Sequence, residues 1–266
     1  MPTPLESIEI GPDQVRAVEF AALGCGRLAA TVESAAGASS DILLIRHAVR
    51  AHDGDESLAA HLLLTQEGTA AEAVGAPTDS AARSNPSGIL HAAIIAGTEV
   101  ASSPANTDAQ RRAALAGAVA LVNGGILPAP WVAPWQLDAA ARSAAVQIDR
   151  SGAWEEWIAA WCHLLAREAT ATERALRSAS AQLDTERVAV RSQHRTGGTD
   201  ADVLGWLHTH TTFTIRAAGE ALELTPPTVG TAIERLETAG FATELTGQRR
   251  DRIWTSTTLL GLAASR

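Results

Sequence analysis

The segment from Thr214 to Ser256 constrains the fold more than any other part of the chain. Apolar residues recur at helical spacing over 215–222 and again over 226–236, and a three-residue turn separates the two runs. Two short extended runs follow, at 241–245 and 252–256, joined by residues that favour a hairpin turn. The segment is too short for each element to have a core of its own. The two helices and the hairpin must therefore bury their apolar faces against one another or against a neighbouring helix.

The residue types at the ends of these elements agree with the pattern. Thr214 is predicted to cap the first helix, because its hydroxyl can accept a hydrogen bond from the exposed N–H groups of the first turn. Thr225 is predicted to cap the second helix, with Pro226 as the first helical residue, where the missing proline N–H is not needed. Gly240 is predicted to end that helix. An earlier helix over residues 200–209 would pack against the pair.

This order of elements predicts a winged helix-turn-helix domain over residues 196–266, with the hairpin as the wing. In such a domain the helix after the turn enters the major groove of DNA, and the wing contacts phosphates or the minor groove. The side chains predicted to contact DNA are hydroxyls and arginines on the helices and the wing: Arg216, Thr225, Thr228, Thr231, Arg235, Arg249, Arg250 and Arg252.

The charge of this domain leaves a second interpretation open. Residues 196–266 contain 6 Arg and 8 Asp or Glu, and Glu234, Glu237 and Glu244 would repel phosphate. The whole chain has a formal net charge of -9, so its overall field does not steer it to nucleic acid. A helix-turn-helix used only for protein contact is therefore the alternative.

The preceding residues, 1–195, are predicted to form a helical body, so the fold is mostly α with a small α+β domain at its end. Hydrophobic residues make up 46% of the chain, Ala dominates them and Tyr is absent, a composition that favours close-packed helices. Helices are predicted at residues 14–34, 42–52, 56–74, 89–100, 110–122, 137–148, 154–170 and 172–185, with a loop at 75–87 and a linker at 194–199.

The body contains no intact catalytic or metal-binding motif. Trp154, Trp157 and Trp161 recur on one helical face and are predicted to be core rather than a base-stacking platform. The histidines of the body match no metal-ligand spacing, so neither a metal nor another cofactor is expected. His208 and His210, near the linker, are predicted to be solvated.

The location of the protein is predicted from its cysteines and its apolar runs. Cys25 and Cys162 lie far apart in sequence, which fits a reduced intracellular protein. The first residues show no basic stretch followed by an apolar run, and no apolar run reaches the ~18 residues that span a bilayer. We therefore expect a cytoplasmic protein with no membrane partner.

Several stretches of the chain resemble Fic-domain proteins of the kind that carry a trailing winged helix. Residues 124–131, GGILPAPW, resemble the segment after the core helix of that family, and residues 151–169, SGAWEEWIAAWCHLLAREA, resemble its W-E-x-W-I helix. Residues 223–254 closely match the appended winged helix. The strong part of the resemblance covers about residues 115–266 and implies a Fic-like helical body.

The active-site motif of that family, H-P-F-x-D-G-N-G-R, falls on residues 103–111, which read SPANTDAQR. Ser103 stands in place of the general-base His of the family, and a serine takes up no proton near neutral pH. Thr107 stands in place of the acid that holds Mg²⁺, and Asp108 in the anion-cradling loop would repel phosphate. The resemblance therefore implies a degenerate site, with Ser103, Asp108 and Arg111 as its vestiges and with no catalytic residue.

These features together predict a DNA-binding protein, a transcriptional regulator whose catalytically inactive body serves dimerisation or the sensing of a small-molecule or protein effector. A homodimer is expected because one winged helix with so few basic residues binds weakly, and two half-sites raise the effective affinity. Two alternatives stay open: a divergent Fic-type nucleotidyl (AMP) transferase that uses Arg111 and another base, and an antitoxin-like scaffold that binds a protein.

Overall fold

A computed structural model describes residues 10–35, 39–51, 56–65, 86–101, 103, 105–129, 132–134, 136–193 and 198–265. Over these residues the chain is mostly helical, with one small antiparallel sheet near its C-terminus. The coarse fold prediction, a mostly α protein with a short mixed segment at its end, is confirmed.

The helices of the predicted body are α1 (Pro12–Ser34), α2 (Ser39–Ala51), α3 (Glu56–Thr65), α4 (Pro86–Val100), α5 (Thr107–Asn123), α6 (Ala139–Ser151) and α7 (Glu155–Gln193). The C-terminal elements are α8 (Thr199–Thr209), β1 (Phe213–Thr214), α9 (Ile215–Leu222), α10 (Pro226–Thr238), β2 (Ala242–Glu244), β3 (Ile253–Ser256) and α11 (Thr257–Ala264). The predicted helix beyond residue 65, the predicted loop over 75–85 and the linker residues 194–197 lie outside the described residues.

Three elements differ from the sequence prediction. α7 runs without a break past residue 171, because this part of the helix contains no Gly or Pro; the Thr170 hydroxyl donates to the Ala166 carbonyl of the same helix (2.8 Å) and does not interrupt it. β1 was missed because it is only two residues long. α11 was missed because it follows β3 directly, with the Ser256 hydroxyl accepting from the Leu259 N–H (3.3 Å) as its cap.

The chain divides into two compact units. Unit 1 comprises Met1–Thr31 and Val74–Arg174, and unit 2 comprises Val32–Ala73 and Ala175–Arg266. This division differs from the predicted boundary between residues 195 and 196, because α2, α3 and the second half of α7 belong with the C-terminal elements.

Packing by α11 explains why α2 and α3 belong to unit 2. α11 continues directly from the sheet and packs against both helices. At its C-terminal end, the Ser265 hydroxyl accepts a hydrogen bond (2.8 Å) from Nε of Arg46, a buried residue of α2. Elements far apart in the sequence therefore belong to one compact unit.

Two tryptophans of α7 lie in the core of unit 1, as their spacing predicts. Trp157 and Trp161 are fully buried, and Trp157 Nε1 donates to the Ala93 carbonyl of α4 (2.7 Å). A Cβ added to Gly97 of α4 would lie 2.5 Å from Trp157 Nε1, and one added to Gly117 of α5 would lie 2.8 Å from the Trp161 ring. The glycines therefore make room for the indoles, which pack α4 and α5 against α7.

Both cysteines are core residues of unit 1. Cys25 of α1 and Cys162 of α7 are buried and free, and burial raises the pKa of each thiol to about 12. Such thiols stay protonated near neutral pH and behave as small apolar side chains.

In unit 2, the helices α8, α9 and α10 share one apolar core with a three-stranded antiparallel sheet. The strand order is β1-β3-β2, with Phe213 opposite Trp254 and Ala242 opposite Ser256. α10 packs against both α8 and α9. The buried side chains of this core are Val190, Val203, Leu204, Leu207, Phe213, Ala218, Val229, Ala232, Ile233, Leu236, Ala242 and Trp254.

A buried polar cluster links α7, α8 and α11 within unit 2. Nε2 of His208 lies 2.9 Å from Oε2 of Glu186, and Oε1 of the same carboxylate accepts from the Thr258 hydroxyl (2.6 Å). The prediction that His208 and His210 are solvated is therefore wrong. His208 lies on the inner face of α8, where α7 supplies a carboxylate as its partner, and His210 is half-buried and stacks on Trp206 with ring centroids 3.7 Å apart.

Candidate nucleic-acid interface

α9, the short turn and α10 have the limits that the sequence predicts. The Thr214 hydroxyl accepts a hydrogen bond from the Ala217 N–H (3.1 Å) and caps α9. Pro226 is the first residue of α10, and Gly240, with a φ of 80°, follows the end of that helix. These three predictions are confirmed.

Close backbone contacts hold the turn between α9 and α10. The Leu224 N–H donates to the Gly219 carbonyl (2.9 Å), and Glu223 adopts a left-handed φ of 56°. A Cβ added to Gly219 would lie 2.9 Å from the Leu224 carbonyl oxygen, so only glycine fits there without a shift of the backbone. The separation between the two helices therefore depends on this glycine.

The exposed hydroxyls of α10 are already engaged in local hydrogen bonds. The hydroxyls of Thr225 and Thr228 lie 2.7 Å apart, and the Thr231 hydroxyl donates to the Pro227 carbonyl (3.0 Å). Thr225 is the N-cap residue of α10, as predicted, but its side chain makes no capping hydrogen bond to the helix backbone. All three threonines are exposed, as predicted, and each oxygen keeps a lone pair for a ligand.

The two helix arginines predicted to contact DNA form ion pairs within the chain. Nε of Arg216 lies 2.9 Å from Oε1 of Glu220, and Nη1 of Arg235 lies 3.2 Å from Oδ1 of Asp200. The first pair is exposed and weak, whereas the Asp200 side chain is only 6% exposed and its charge needs a partner. Arg235 therefore anchors α10 to α8, which sequence reasoning missed because the two residues lie 35 positions apart.

The hairpin loop between β2 and β3 carries Arg249, Arg250 and Arg252, all exposed. Nε of Arg252 donates to the Gln248 carbonyl (3.0 Å), so this arginine helps to close the loop. Within the part of the chain that the structure describes, neither Arg249 nor Arg250 forms an ion pair. These two guanidinium groups are therefore available to an external anion.

Glu244, at the end of β2, was expected from its charge only to repel phosphate, but in the structure its carboxylate is bound within the hairpin loop. Its carboxylate accepts hydrogen bonds from the N–H groups of Thr246 (2.7 Å) and Gly247 (3.0 Å) and from the Thr246 hydroxyl. Burial acts to raise the pKa of the Glu244 carboxyl, but these hydrogen bonds and the charge of Arg252 outweigh it, so the pKa is below its usual value. The sequence contained one signal for this hydrogen-bonded turn, which was a glutamate two residues before a Thr-Gly pair.

The segment that aligns with the active-site motif of the Fic family, residues 103–111, lies in unit 1. Its described residues precede α5 or belong to the first turns of that helix. The Asn106 side chain caps α5 and accepts from the N–H groups of Asp108 (2.8 Å) and Ala109 (3.3 Å). The guanidinium of Arg111 lies 3.8 Å from the Asp108 carboxylate, and Ser103 is exposed. An amide of the chain therefore already occupies the N–H groups that an anion would need.

An open cavity of about 510 Å³ adjoins this segment within unit 1. Its volume is in the range of small-molecule sites. Its lining is mostly apolar, with one guanidinium, one hydroxyl and one amide among its side chains. The lining residues are Ser103, Ala105, Asn106, Arg142 and Val146.

The described part of the chain contains neither a metal-binding cluster nor a helix that could span a membrane. No group of three His, Cys, Asp or Glu side chains there is arranged to hold a metal ion. No helix among the same residues is both long and apolar enough to cross a membrane.

Comparison with known proteins supplies no family for this chain. No protein-family model matches its sequence, and no curated protein matches it either. The function is therefore proposed from the geometry of the C-terminal elements.

Proposed function

We propose that residues 196–266 form a winged helix-turn-helix through which this protein binds DNA as a transcriptional regulator. The order of α9, turn and α10 suits a helix-turn-helix, and the antiparallel β2–β3 hairpin has the place of its wing. The observation that carries the proposal is the wing tip. There Arg249 and Arg250 are exposed and, among the described residues, form no ion pair.

In this proposal, the wing and the helix α10 make different contacts with DNA. Arg249 and Arg250 bind phosphates, and the threonine hydroxyls of α10 offer short-range polar contacts to the groove. Arg235 contributes less than its exposure suggests, because it compensates the buried charge of Asp200. Two phosphate contacts per domain predict a slope of about -2 for log K against log salt, and a homodimer on two half-sites predicts about -4.

The body, in this proposal, is a Fic-like helical domain without transferase activity. The exposed Ser103 has no proton-accepting group of its own, and the Asn106 amide holds the first N–H groups of α5. The cavity lined in part by Arg142 is the proposed place for a small-molecule effector. Dimerisation through the body would bring two wings to one DNA duplex.

The salt dependence of binding tests the DNA proposal. A duplex of about 25 base pairs is titrated with the full chain from about 50 mM salt upward, with fluorescence anisotropy as the measurement. Arg249→Ala and Arg250→Ala should each weaken binding and make the slope less steep by about 1 per domain. Arg191→Ala, which removes one exposed arginine from the last turn of α7, is the matched control. Binding that is insensitive to both wing variants would remove the wing from the interface.

The transferase alternative has one observation in its favour, the cavity beside Ser103. Incubation of the full chain with labelled ATP and Mg²⁺ separates the two functions. We expect no labelled protein. Mg²⁺-dependent labelling that Arg111→Ala abolishes would establish the transferase instead. A second protein that co-purifies with a chain unable to bind DNA would favour the antitoxin-like scaffold.

A further inference from the structure

We propose that Glu244 is a positioning residue of the wing, whose carboxylate holds the arginine tip in one geometry. Loss of this negative charge should therefore weaken binding to the DNA backbone rather than strengthen it. This inference rests on the proposed function, since the backbone phosphates of DNA are the ligand of the tip.

Hydrogen bonds from the first half of the loop converge on this carboxylate. Oε1 of Glu244 accepts from the Thr246 N–H (2.7 Å) and from the Thr246 hydroxyl, and Oε2 accepts from the Gly247 N–H (3.0 Å). Glu244 itself is fixed in the sheet, where it lies opposite Trp254 of β3. The first half of the loop is therefore tied to the last residue of a paired strand.

The second half of the loop is closed by its own contacts. Nε of Arg252 donates to the Gln248 carbonyl (3.0 Å), and Asp251 adopts a left-handed φ of 53°. Arg249 and Arg250 lie between these two sets of contacts, so in this proposal the contacts hold the tip in place before a ligand arrives. A loop that is already ordered loses less conformational entropy on binding.

Electrostatics and positioning predict opposite signs for the loss of this charge. If Glu244 only repelled phosphate, its neutralisation would tighten binding, as removal of any nearby acidic group should. If it orders the tip, its neutralisation frees the loop and weakens binding by about 5-fold, the loss expected for ordering one or two side chains on association. The sign of the change therefore separates the two.

The matched control is Glu237, which lies in the last turn of α10 and is exposed. Its side chain has no hydrogen bond or ion pair with another described residue. Glu244→Ala and Glu237→Ala therefore remove the same charge, but only the first removes the acceptor of the loop hydrogen bonds. Thr246→Val serves as a second probe, because it removes one donor to the carboxylate and leaves the net charge unchanged.

The experiment measures DNA affinity and loop order on the same full-length variants. The DNA is a duplex of about 25 base pairs at about 50 mM salt, and amide hydrogen exchange at Thr246 and Gly247 reports the loop. We expect Glu244→Ala to bind about 5-fold more weakly with faster exchange at both amides, Thr246→Val to change both in the same direction by about 2-fold, and Glu237→Ala to bind equally or more tightly.

Two results would overturn the proposal, and they are distinguishable. If the unmodified chain binds DNA but Glu244→Ala binds more tightly, or exchanges no faster, Glu244 does not position the tip and the DNA proposal stands. If the unmodified chain does not bind DNA, the proposed function fails and this inference fails with it. If Glu244→Ala does not fold, Thr246→Val decides by the same criteria.

Discussion

Gly219→Ala tests whether the turn between α9 and α10 is packed as tightly as the structure indicates. The added Cβ would lie 2.9 Å from the Leu224 carbonyl oxygen, a backbone atom that cannot rotate away. The forced shift should cost about 1–3 kcal/mol, as overpacking does elsewhere. Alanine is the better helix former by about 1 kcal/mol, so the net change in the free energy of unfolding should be a loss of about 0–2 kcal/mol.

Gly205→Ala is the matched control, because a Cβ added to Gly205 in α8 meets no atom within 4 Å. This variant should show the helix-propensity term alone, a gain of about 1 kcal/mol. The two glycines belong to neighbouring helices of the same compact unit, so the substitution, the unit and the helical setting are shared. The difference between the variants, about 1–3 kcal/mol, isolates the contact with the turn.

Thermal unfolding of the full chain, followed by circular dichroism, measures both variants. One kcal/mol corresponds to about 2–4 °C in a chain of this size. Gly205→Ala should therefore raise the Tm by about 2–4 °C, while Gly219→Ala leaves it unchanged or lowers it by up to about 8 °C. The reasoning is refuted if Gly219→Ala raises the Tm as much as the control does, because the Leu224 carbonyl would then have room for a methyl group.

Three further predictions concern the core, the turn and the pH dependence of stability. Gly97→Ala should lower the free energy of unfolding in urea by about 0–2 kcal/mol, because its Cβ would lie 2.5 Å from a buried indole nitrogen, which costs about 1–3 kcal/mol, while alanine offsets about 1 kcal/mol as the better helix former; a raised urea midpoint would contradict that packing. Glu223→Gly should raise the Tm by the equivalent of about 0–1.5 kcal/mol, because a left-handed φ of 56° costs a non-glycine residue about 1–2 kcal/mol and the greater freedom of glycine in the unfolded chain offsets about 0.5–1 kcal/mol of this; a lower Tm would argue against strain there. Burial, followed by the charges of Arg50 and Arg46, lowers the pKa of His47 from 6.5 to about 4, so the unfolded chain takes up the proton first and stability should fall as the pH drops from 6.5 towards 4. His47→Phe should flatten this part of a urea-midpoint titration, and a variant with the same pH slope as the original chain would rule His47 out.

The limits of α9 and α10 were predictable because each depends on residues next to one another in the chain. Thr214 caps α9 through a hydroxyl three residues from the N–H that it accepts, and Pro226 begins α10 because its own ring fits a first turn. Gly240 follows the end of α10 because its φ of 80° suits a residue without Cβ. Helical spacing likewise located the helices of the body, although it set their ends a few residues away from where they lie.

The composition of the candidate site was also predictable, but the availability of its members was not. Sequence reasoning identified exposed threonines and arginines, and among the five predicted arginines the structure leaves Arg249 and Arg250 without a side-chain hydrogen bond or ion pair to a described residue. Arg235 is engaged by a carboxylate from another helix, and Arg252 by the loop itself. Exposure follows from local periodicity, whereas a partner depends on what the fold brings near.

By itself, the sequence determined the local elements and the faces that they bury, because capping and helical spacing act over a few residues. Only the tertiary structure decided that α11 joins α2 in one unit, that Glu186 pairs with His208 and that Asp200 holds Arg235. These pairings join residues far apart in the chain. Their formation depends on which apolar faces pack together, and no local pattern of residues contains that information.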